Sequence, residues 1–212
     1  MNYKFNPEIH HRRSIRLKDY DYSQEGFYFI TLCTGNREHL FGEINDGTMV
    51  LNEIGMLIKE EWEKTTEIRK NIALGEYIIM PNHFHAIIQI EHQIKSQTYT
   101  TMGLKSTSQT IGSIIRGFKG TTTLKINLIQ PVRKECRGVL PYAQNVKSSK
   151  QDNSIWQRNY WERIIRNQKE FNQISQYIIN NPALWEDDKL NGGEGNTVLE
   201  KGEGYNQQEW MV

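Results

Sequence analysis

The chain has 212 residues, 37% of them hydrophobic, with a mean hydropathy of −0.69 and a net charge of +1. The length favours one globular domain with appendages, and the hydrophobic content excludes a disordered chain. No apolar run approaches the roughly 20 residues that cross a bilayer, and the first residues lack the apolar region of a signal peptide. Cys33 and Cys136 are too few for a disulfide framework, so we expect a cytoplasmic protein without a membrane partner.

The hydrophobic pattern predicts strands and helices along the chain. Strands are expected at 26–34, 49–51, 72–80, 83–91 and 155–165, where aromatic and β-branched residues gather. Helices are expected at 52–66, 110–128 and 167–180, where apolar residues recur every three or four positions. Asn52 and Asn167 are N-cap residues for two of these helices, and Pro182 ends the last one. Polar segments at about 92–108 and 130–153 lack periodicity and are predicted loops.

This pattern predicts an α+β fold, with helices packed mainly on one face of a sheet and the other face free for chemistry. The domain is expected to span residues 23–186. A basic arm at 1–22 precedes it, and an acidic, loosely ordered tail at 187–212 follows it.

Charge is unevenly distributed over these parts. Residues 1–20 carry five Lys and Arg against two acids, and residues 105–150 carry nine against one. A basic stretch in a near-neutral chain is typical of a surface that binds a polyanion, but a solvated helix face with a charged loop explains it equally well.

His83 and His85 lie two positions apart on one predicted strand. Successive strand side chains point to opposite faces, so the two imidazoles project together, with Cα atoms about 6–7 Å apart, while Phe84 and Ala86 face the core. Two neutral imidazoles at this spacing can bind one divalent cation. Two polar residues on a wetted strand face would give the same pattern, so the motif alone leaves both interpretations open.

Tyr177 and Asn181 lie one turn apart, at i and i+4, on the last predicted helix. The amide oxygen of Asn181 could complete a metal shell while Tyr177 stands beside the same cation. Because Pro182 disturbs the helix there, Asn180 remains a possible substitute for Asn181. A half-buried tyrosine packed against the sheet is the alternative interpretation of Tyr177.

Four blocks of sequence, in order, resemble one family. They are residues 81–88 (PNHFHAII), 155–166 (IWQRNYWERIIR), 177–182 (YIINNP) and parts of the stretch 12–37. Together they resemble the IS200-like, HUH-type tyrosine transposases, and most of all the branch associated with repetitive extragenic palindromes (REP). The likeness covers about residues 8–186, with the two polar loops and the acidic tail outside it.

The resemblance implies an antiparallel sheet with a ferredoxin-like (RRM-like) HUH endonuclease fold. It also implies a role for each matching residue: His83, His85 and Asn181 hold a divalent metal ion, Mg²⁺ or Mn²⁺, and Tyr177 is the nucleophile. Tyr177, His83 and His85 are then the catalytic residues. Attack by Tyr177 on single-stranded DNA would form a 5′-phosphotyrosine and release a 3′-hydroxyl. This ester conserves bond energy, so no nucleotide cofactor is expected, and no phosphate-binding glycine loop occurs in the sequence.

Hairpin DNA with a single-stranded flank is the expected partner. Candidate phosphate contacts are Arg12, Arg13, Arg16, Arg116, Lys119, Arg158 and Arg163. Tyr160 and Trp161 could stack on unpaired bases, although their alternation with Ile155 and Trp156 fits core packing equally well.

Other functions share parts of this pattern. A catalytically inactive or domesticated protein would keep only hairpin binding. A small metallohydrolase would use His83 and His85 to activate water, without a protein–DNA adduct. Replication initiators use similar chemistry but commonly attach helicase-like parts, for which 212 residues leave no room. The sequence does not say whether the protein acts as a monomer or a homodimer, nor which subunit supplies Tyr177 to the histidines.

Overall fold

The computed structural model of the protein describes Leu17 and residues 20–93, 110–130 and 154–191. Most of the predicted basic arm, of both polar loops and of the acidic tail lies outside these residues. Arg12, Arg13 and Arg16 also lie outside them, so their DNA contacts stay predictions.

The described chain forms strands and helices close to the expected positions. They are β1 (Gly26–Cys33), β2 (Gly42–Asn45), β3 (Thr48–Leu51), α1 (Glu53–Glu63), α2 (Thr65–Ile68), β4 (Ile72–Ile79), β5 (His83–Ile90), α3 (Ile111–Ile129), β6 (Trp161–Ile165) and α4 (Gln168–Asn180). Short 3₁₀ segments follow β1 at Gly35–Arg37 and α4 at Asn181–Asp187. The predicted N-caps Asn52 and Asn167 each accept a backbone N–H in the first turn of their helix.

The main sheet has the strand order β4-β5-β1-β6, and every neighbouring pair is antiparallel. Strands β2 and β3 form a separate hairpin. Without that hairpin and the short α2, the chain follows the β-α-β-β-α-β order of ferredoxin-like folds. The predicted α+β class and antiparallel sheet are confirmed. Within the described parts of the chain, no helix combines the length and apolarity that a membrane span requires.

Helices α1 and α3 cover one face of this sheet and enclose the larger core. Trp62 of α1 packs edge-on against Phe84 of β5, with ring centroids 4.9 Å apart, and against Phe118 of α3 at 5.3 Å. All three side chains are buried, and burial of a side chain of this kind stabilises a fold by about 1.5–3 kcal/mol.

The opposite face is not free as expected, because α4 packs across it. Ile174 and Ile178 of this helix form a small second core with Phe29, Ile87 and Ile165 of the sheet. The periodicity that predicted α4 also gave it an apolar stripe, and that stripe needs a partner surface. The consequence is that α4 lies directly over the strand that carries the two histidines.

The predicted strand at 155–165 is interrupted in the structure. Trp156 makes an isolated bridge to the end of β1, and the regular strand begins only at Trp161. Lys119 of α3 donates hydrogen bonds to the carbonyl oxygens of Gln157 and Asn159, at 2.9 and 2.8 Å. These carbonyls are therefore satisfied by a side chain and do not extend the strand ladder.

Candidate metal and nucleophile site

The two histidines project together from β5 on the face covered by α4. Their exposed fractions are 0% for His83 and 2% for His85, and their ring centroids lie 4.6 Å apart. Phe84, between them, faces the larger core. The alternation expected from the sequence is present, but the histidines are buried rather than wetted.

Each histidine ring is oriented by a hydrogen bond at Nδ1. Nδ1 of His83 lies 2.8 Å from Oδ1 of Asn82, and Nδ1 of His85 lies 2.8 Å from Oγ1 of Thr31. The Asn82 oxygen can only accept, so the His83 proton sits on Nδ1 and Nε2 carries the lone pair. Partners of this kind are what orient histidines that bind metals.

Tyr177 stands next to His85 within the same chain. Its hydroxyl lies 3.2 Å from Nε2 of His85, and the two ring centroids are 5.2 Å apart. Ile174 and Ile178, three positions before and one after Tyr177, are the buried anchors of α4, so the packing of the helix sets the direction of the tyrosine.

Asp188 is a further component of the site, and the sequence analysis missed it. Its Oδ2 lies 3.8 Å from Nε2 of His83 and accepts a hydrogen bond from Nδ2 of Asn181 at 3.2 Å. Asp188 falls in the segment assigned to a loosely ordered acidic tail. No local pattern in the sequence assigns Asp188 to the site, because its position depends on a contact with His83, which lies far from it in the chain.

The donor atoms of this site suit a divalent cation. Single ligand atoms of His83, His85 and Asp188 all lie within 4.8 Å of one another. Nε2 of His83 and Oδ1 of Asn181 are buried and have no hydrogen-bond partner among the described residues. Such groups cost about 1–3 kcal/mol each when left unpaired, and a bound cation would satisfy both. Asn180, the sequence alternative to Asn181, is exposed.

Burial keeps both imidazoles neutral near pH 7. It lowers the pKa of His83 to about 4, while Asp188 and Asn181 act in the opposite direction. Burial, and then the neighbouring His83, hold the pKa of His85 well below its usual value. The neutral imidazole is the form that binds a metal ion.

The structure separates the predicted DNA contacts on β6. Trp161 pairs with Thr31, and Thr31 pairs with His85, so the three side chains form one row on the α4 face. Trp161 is 40% exposed there. Tyr160 instead packs against the larger core.

The basic candidates have different surroundings. Nζ of Lys119 donates hydrogen bonds to two carbonyl oxygens of the 157–159 loop and lies 5.5 Å from the centre of the Tyr160 ring. Burial lowers the pKa of Lys119 to about 8. Arg163 pairs with Glu170 at the start of α4. Arg116 and Arg158 are exposed. Arg116 lies on α3, which covers the sheet face away from the histidines. All four phosphate contacts stay predictions.

Comparison with known proteins gives two relatives, both from Haemophilus influenzae. An uncharacterized protein is 44% identical over 197 residues, which cover 90% of this chain and 98% of that protein. A protein named as a putative REP-associated tyrosine transposase is 24% identical over 163 residues, covering 77% of this chain and 73% of the relative. No family model matches the chain.

Two solved structures are also similar. A REP-associated tyrosine transposase bound to a REP hairpin has a TM-score of 0.48 and 18% sequence identity. The match covers 80% of this chain and 73% of the transposase chain. A putative transposase from Deinococcus radiodurans has a TM-score of 0.43 and 14% sequence identity. The match covers 79% of this chain and 97% of the Deinococcus chain.

The sequence similarity to the Haemophilus influenzae protein named as a putative REP-associated tyrosine transposase confirms the predicted resemblance to that group. The chain belongs to the same family as the Haemophilus influenzae protein that is 44% identical to it.

Proposed function

We propose that this protein is a metal-dependent enzyme that nicks and joins single-stranded DNA through a covalent 5′-phosphotyrosine at Tyr177. The observation that carries the proposal is the 3.2 Å contact between the Tyr177 hydroxyl and Nε2 of His85, beside a group of atoms suited to a cation. The relationship to transposases supports DNA as the substrate.

The metal would be held by Nε2 of His83, Nε2 of His85 and the carboxylate of Asp188, with Oδ1 of Asn181 as a further oxygen ligand. Nitrogen and oxygen donors of this kind suit Mn²⁺, and also Mg²⁺ when oxygens complete the shell. Once bound, the cation would polarise the scissile phosphate and stabilise the negative charge that develops on its oxygens.

The transesterification itself uses the tyrosine. Tyr177 Oη forms a bond to phosphorus while the bond from phosphorus to the 3′-oxygen breaks, and the phenolic proton ends on the released 3′-hydroxyl. The downstream segment of the strand, whose 5′-phosphate has been attacked, stays on the protein as a phosphotyrosine ester. A second 3′-hydroxyl reverses the exchange and joins two strands, so the cycle consumes no nucleotide. α4 keeps the tyrosine over the site through its packing on the sheet.

Hairpin DNA with a single-stranded flank is the substrate that we infer from the relationship to REP-associated transposases. Trp161 is the residue best suited to the flank. It is exposed on an edge strand, on the face of the histidines and in their row, where an unpaired base could stack on it.

A denaturing gel with end-labelled hairpin DNA and Mn²⁺ tests the nucleophile. We expect a covalent protein–DNA band with the wild type and none with Tyr177→Phe, because phenylalanine has no oxygen to attack phosphorus. Tyr77→Phe is the matched control: Tyr77 lies on β4, and its hydroxyl contacts Glu63 on the opposite side of the sheet. The control should retain the adduct.

Other bands would favour other functions. An adduct that persists in Tyr177→Phe excludes Tyr177 as the nucleophile. Cleavage without any adduct, unchanged in Tyr177→Phe, indicates a metallohydrolase. Hairpin binding without cleavage by the wild type indicates a catalytically inactive DNA-binding protein.

A further inference from the structure

Asn82 connects the metal-ligand candidate His83 to a distant part of the chain. This residue precedes β5 and is 1% exposed. Its Oδ1 lies 2.8 Å from Nδ1 of His83, while its Nδ2 donates to the carbonyl oxygen of Leu190 at 2.7 Å, within the buried interior. The same Nδ2 lies 3.4 Å from the carbonyl oxygen of Arg37. One amide therefore ties together β5, the turn after β1 and the chain after α4.

The residues 181–191, which we call the C-terminal strap, carry Asp188. The position of Leu190 sets the direction of the Asp188 carboxylate, because the backbone N–H of Leu190 donates to Oδ1 of Asp188 at 2.6 Å. Asn181 donates to the other oxygen, Oδ2, at 3.2 Å. Oδ2 is also the atom that lies nearest to Nε2 of His83. A shift of Leu190 would consequently move the carboxylate away from the imidazole.

We propose that Asn82 is a positioning residue that fixes the C-terminal strap against His83, so that Asp188 and His83 present their ligand atoms to one cation. The strap attachment stands on the hydrogen bonds above, and the metal part rests on the proposed function. Asn82 would not touch the cation or the DNA; it acts through the two residues that it orients.

The chemistry of the amide explains why asparagine suits this position. An amide accepts a hydrogen bond from the N–H at Nδ1 of His83 with its oxygen, and it donates a hydrogen bond to the Leu190 carbonyl oxygen with its nitrogen. An ionised aspartate can only accept, so Asn82→Asp would keep the contact with His83 and lose the contact with the strap. Asn82→Ala would lose both.

Hydrogen–deuterium exchange of the metal-free, full-length protein tests the strap attachment. We expect the backbone amides of residues 188–191 to exchange at least tenfold faster in Asn82→Ala and Asn82→Asp than in the wild type. Asn71→Ala is the matched control, since Asn71 is also 1% exposed and its amide also donates to a carbonyl, that of His92, but at the other end of the sheet. In the control, strap exchange should match the wild type. Unchanged strap exchange in both Asn82 variants, or equal acceleration in the control, would overturn the proposal.

The affinity for Mn²⁺, measured by calorimetry without DNA, tests the metal part. Loss of a partner that orients a ligand typically lowers metal affinity by about 10- to 100-fold, and we expect a loss in this range for Asn82→Ala and none for Asn71→Ala. Asn82→Ala should lower the affinity less in the Asp188→Asn background than in the wild type, because only the orientation of His83 then remains to be lost. A fully multiplicative loss would mean that Asn82 acts independently of Asp188, against the proposal.

The two experiments also separate the proposal from the function on which its metal part rests. A wild type that binds no Mn²⁺ contradicts the proposed metal-dependent function, and the exchange measurement still decides the strap attachment. A wild type that binds Mn²⁺ with an affinity unaffected by Asn82→Ala contradicts the positioning role alone.

Discussion

His83 and His85 place two neutral imidazoles side by side in the interior of the domain, with ring centroids 4.6 Å apart. His83 and His85 are almost fully buried, and burial lowers the pKa of each. The partners that orient them, Asn82 and Thr31, bind Nδ1 and leave Nε2 directed into the site. This arrangement keeps the metal-binding form available at the expense of stability in acid.

Acid stability provides a test at the residue scale. In the unfolded chain a histidine has a pKa near 6.5, whereas the folded pKa of His83 is about 4. Between these two pKa values the unfolded chain binds more protons than the folded chain. The free energy of unfolding should therefore be highest above about pH 6.5 and decrease as the pH falls towards 4. Urea unfolding of the metal-free protein at pH 7.5, 6.5 and 5.5 measures this slope.

Two variants test whether the buried histidines cause this change of the free energy of unfolding with pH. Replacement of both His83 and His85 by glutamine should flatten the dependence, while His92→Gln, at an exposed position, should leave it as in the wild type. A wild-type stability that does not change between pH 7.5 and 5.5 would contradict the argument.

At the scale of elements, the position of β6 in the sheet decides which of two adjacent aromatic residues is available to DNA. Adjacent aromatic residues at 160 and 161 occupy opposite sides of the sheet: Tyr160 contributes to the larger core, and Trp161 lies on the histidine face. The sequence supported stacking and core packing equally for both. Tyr160 packs against the larger core, while the register of β6 places Trp161 on the histidine face and leaves it as the candidate for stacking on a base.

Truncation of Trp161 tests this candidate. Stacking of an aromatic side chain on an unpaired base contributes about 1–3 kcal/mol, so Trp161→Ala should weaken binding of a hairpin with a single-stranded flank by roughly 5- to 150-fold. The same hairpin without the flank should bind equally to both proteins. Leu128→Ala, at an exposed position on α3, is the control. Fluorescence anisotropy gives both affinities, and equal binding of the flanked hairpin by Trp161→Ala would exclude the stacking role.

At the scale of the whole molecule, one chain supplies every residue of the candidate site. The order β1, β5, α4 and C-terminal strap brings Thr31, His85, Tyr177 and Asp188 to the same face of the sheet. The sequence left open which subunit places the tyrosine over the histidines. We predict a nucleophile that acts in cis, because packing of α4 on the sheet of its own chain leaves the Tyr177 hydroxyl 3.2 Å from Nε2 of His85.

Complementation between two inactive variants tests the cis arrangement. Tyr177→Phe keeps the histidines, and His83→Ala keeps the tyrosine, so a site shared between subunits would regain activity when the two are mixed. With a cis site we expect no protein–DNA adduct from the mixture above the sum of the separate variants. An adduct that appears only on mixing, with a yield that depends on protein concentration, would indicate exchange of α4 between subunits.

The sequence by itself determined the α+β class, the helix caps at Asn52 and Asn167, and the shared direction of His83 and His85, because these follow from local periodicity and capping chemistry. The antiparallel arrangement of the sheet was implied by the family resemblance. The tertiary structure alone decided that α4 covers the histidine face, that Trp161 faces the site while Tyr160 does not, and that Asp188 belongs to the site. These outcomes depend on contacts between residues far apart in the chain, such as Asn82 and Leu190, which are separated by 108 positions. Local propensity carries no information about such pairs, and an acidic residue after the last helix has the same local pattern whether it is solvated or turned back onto a histidine.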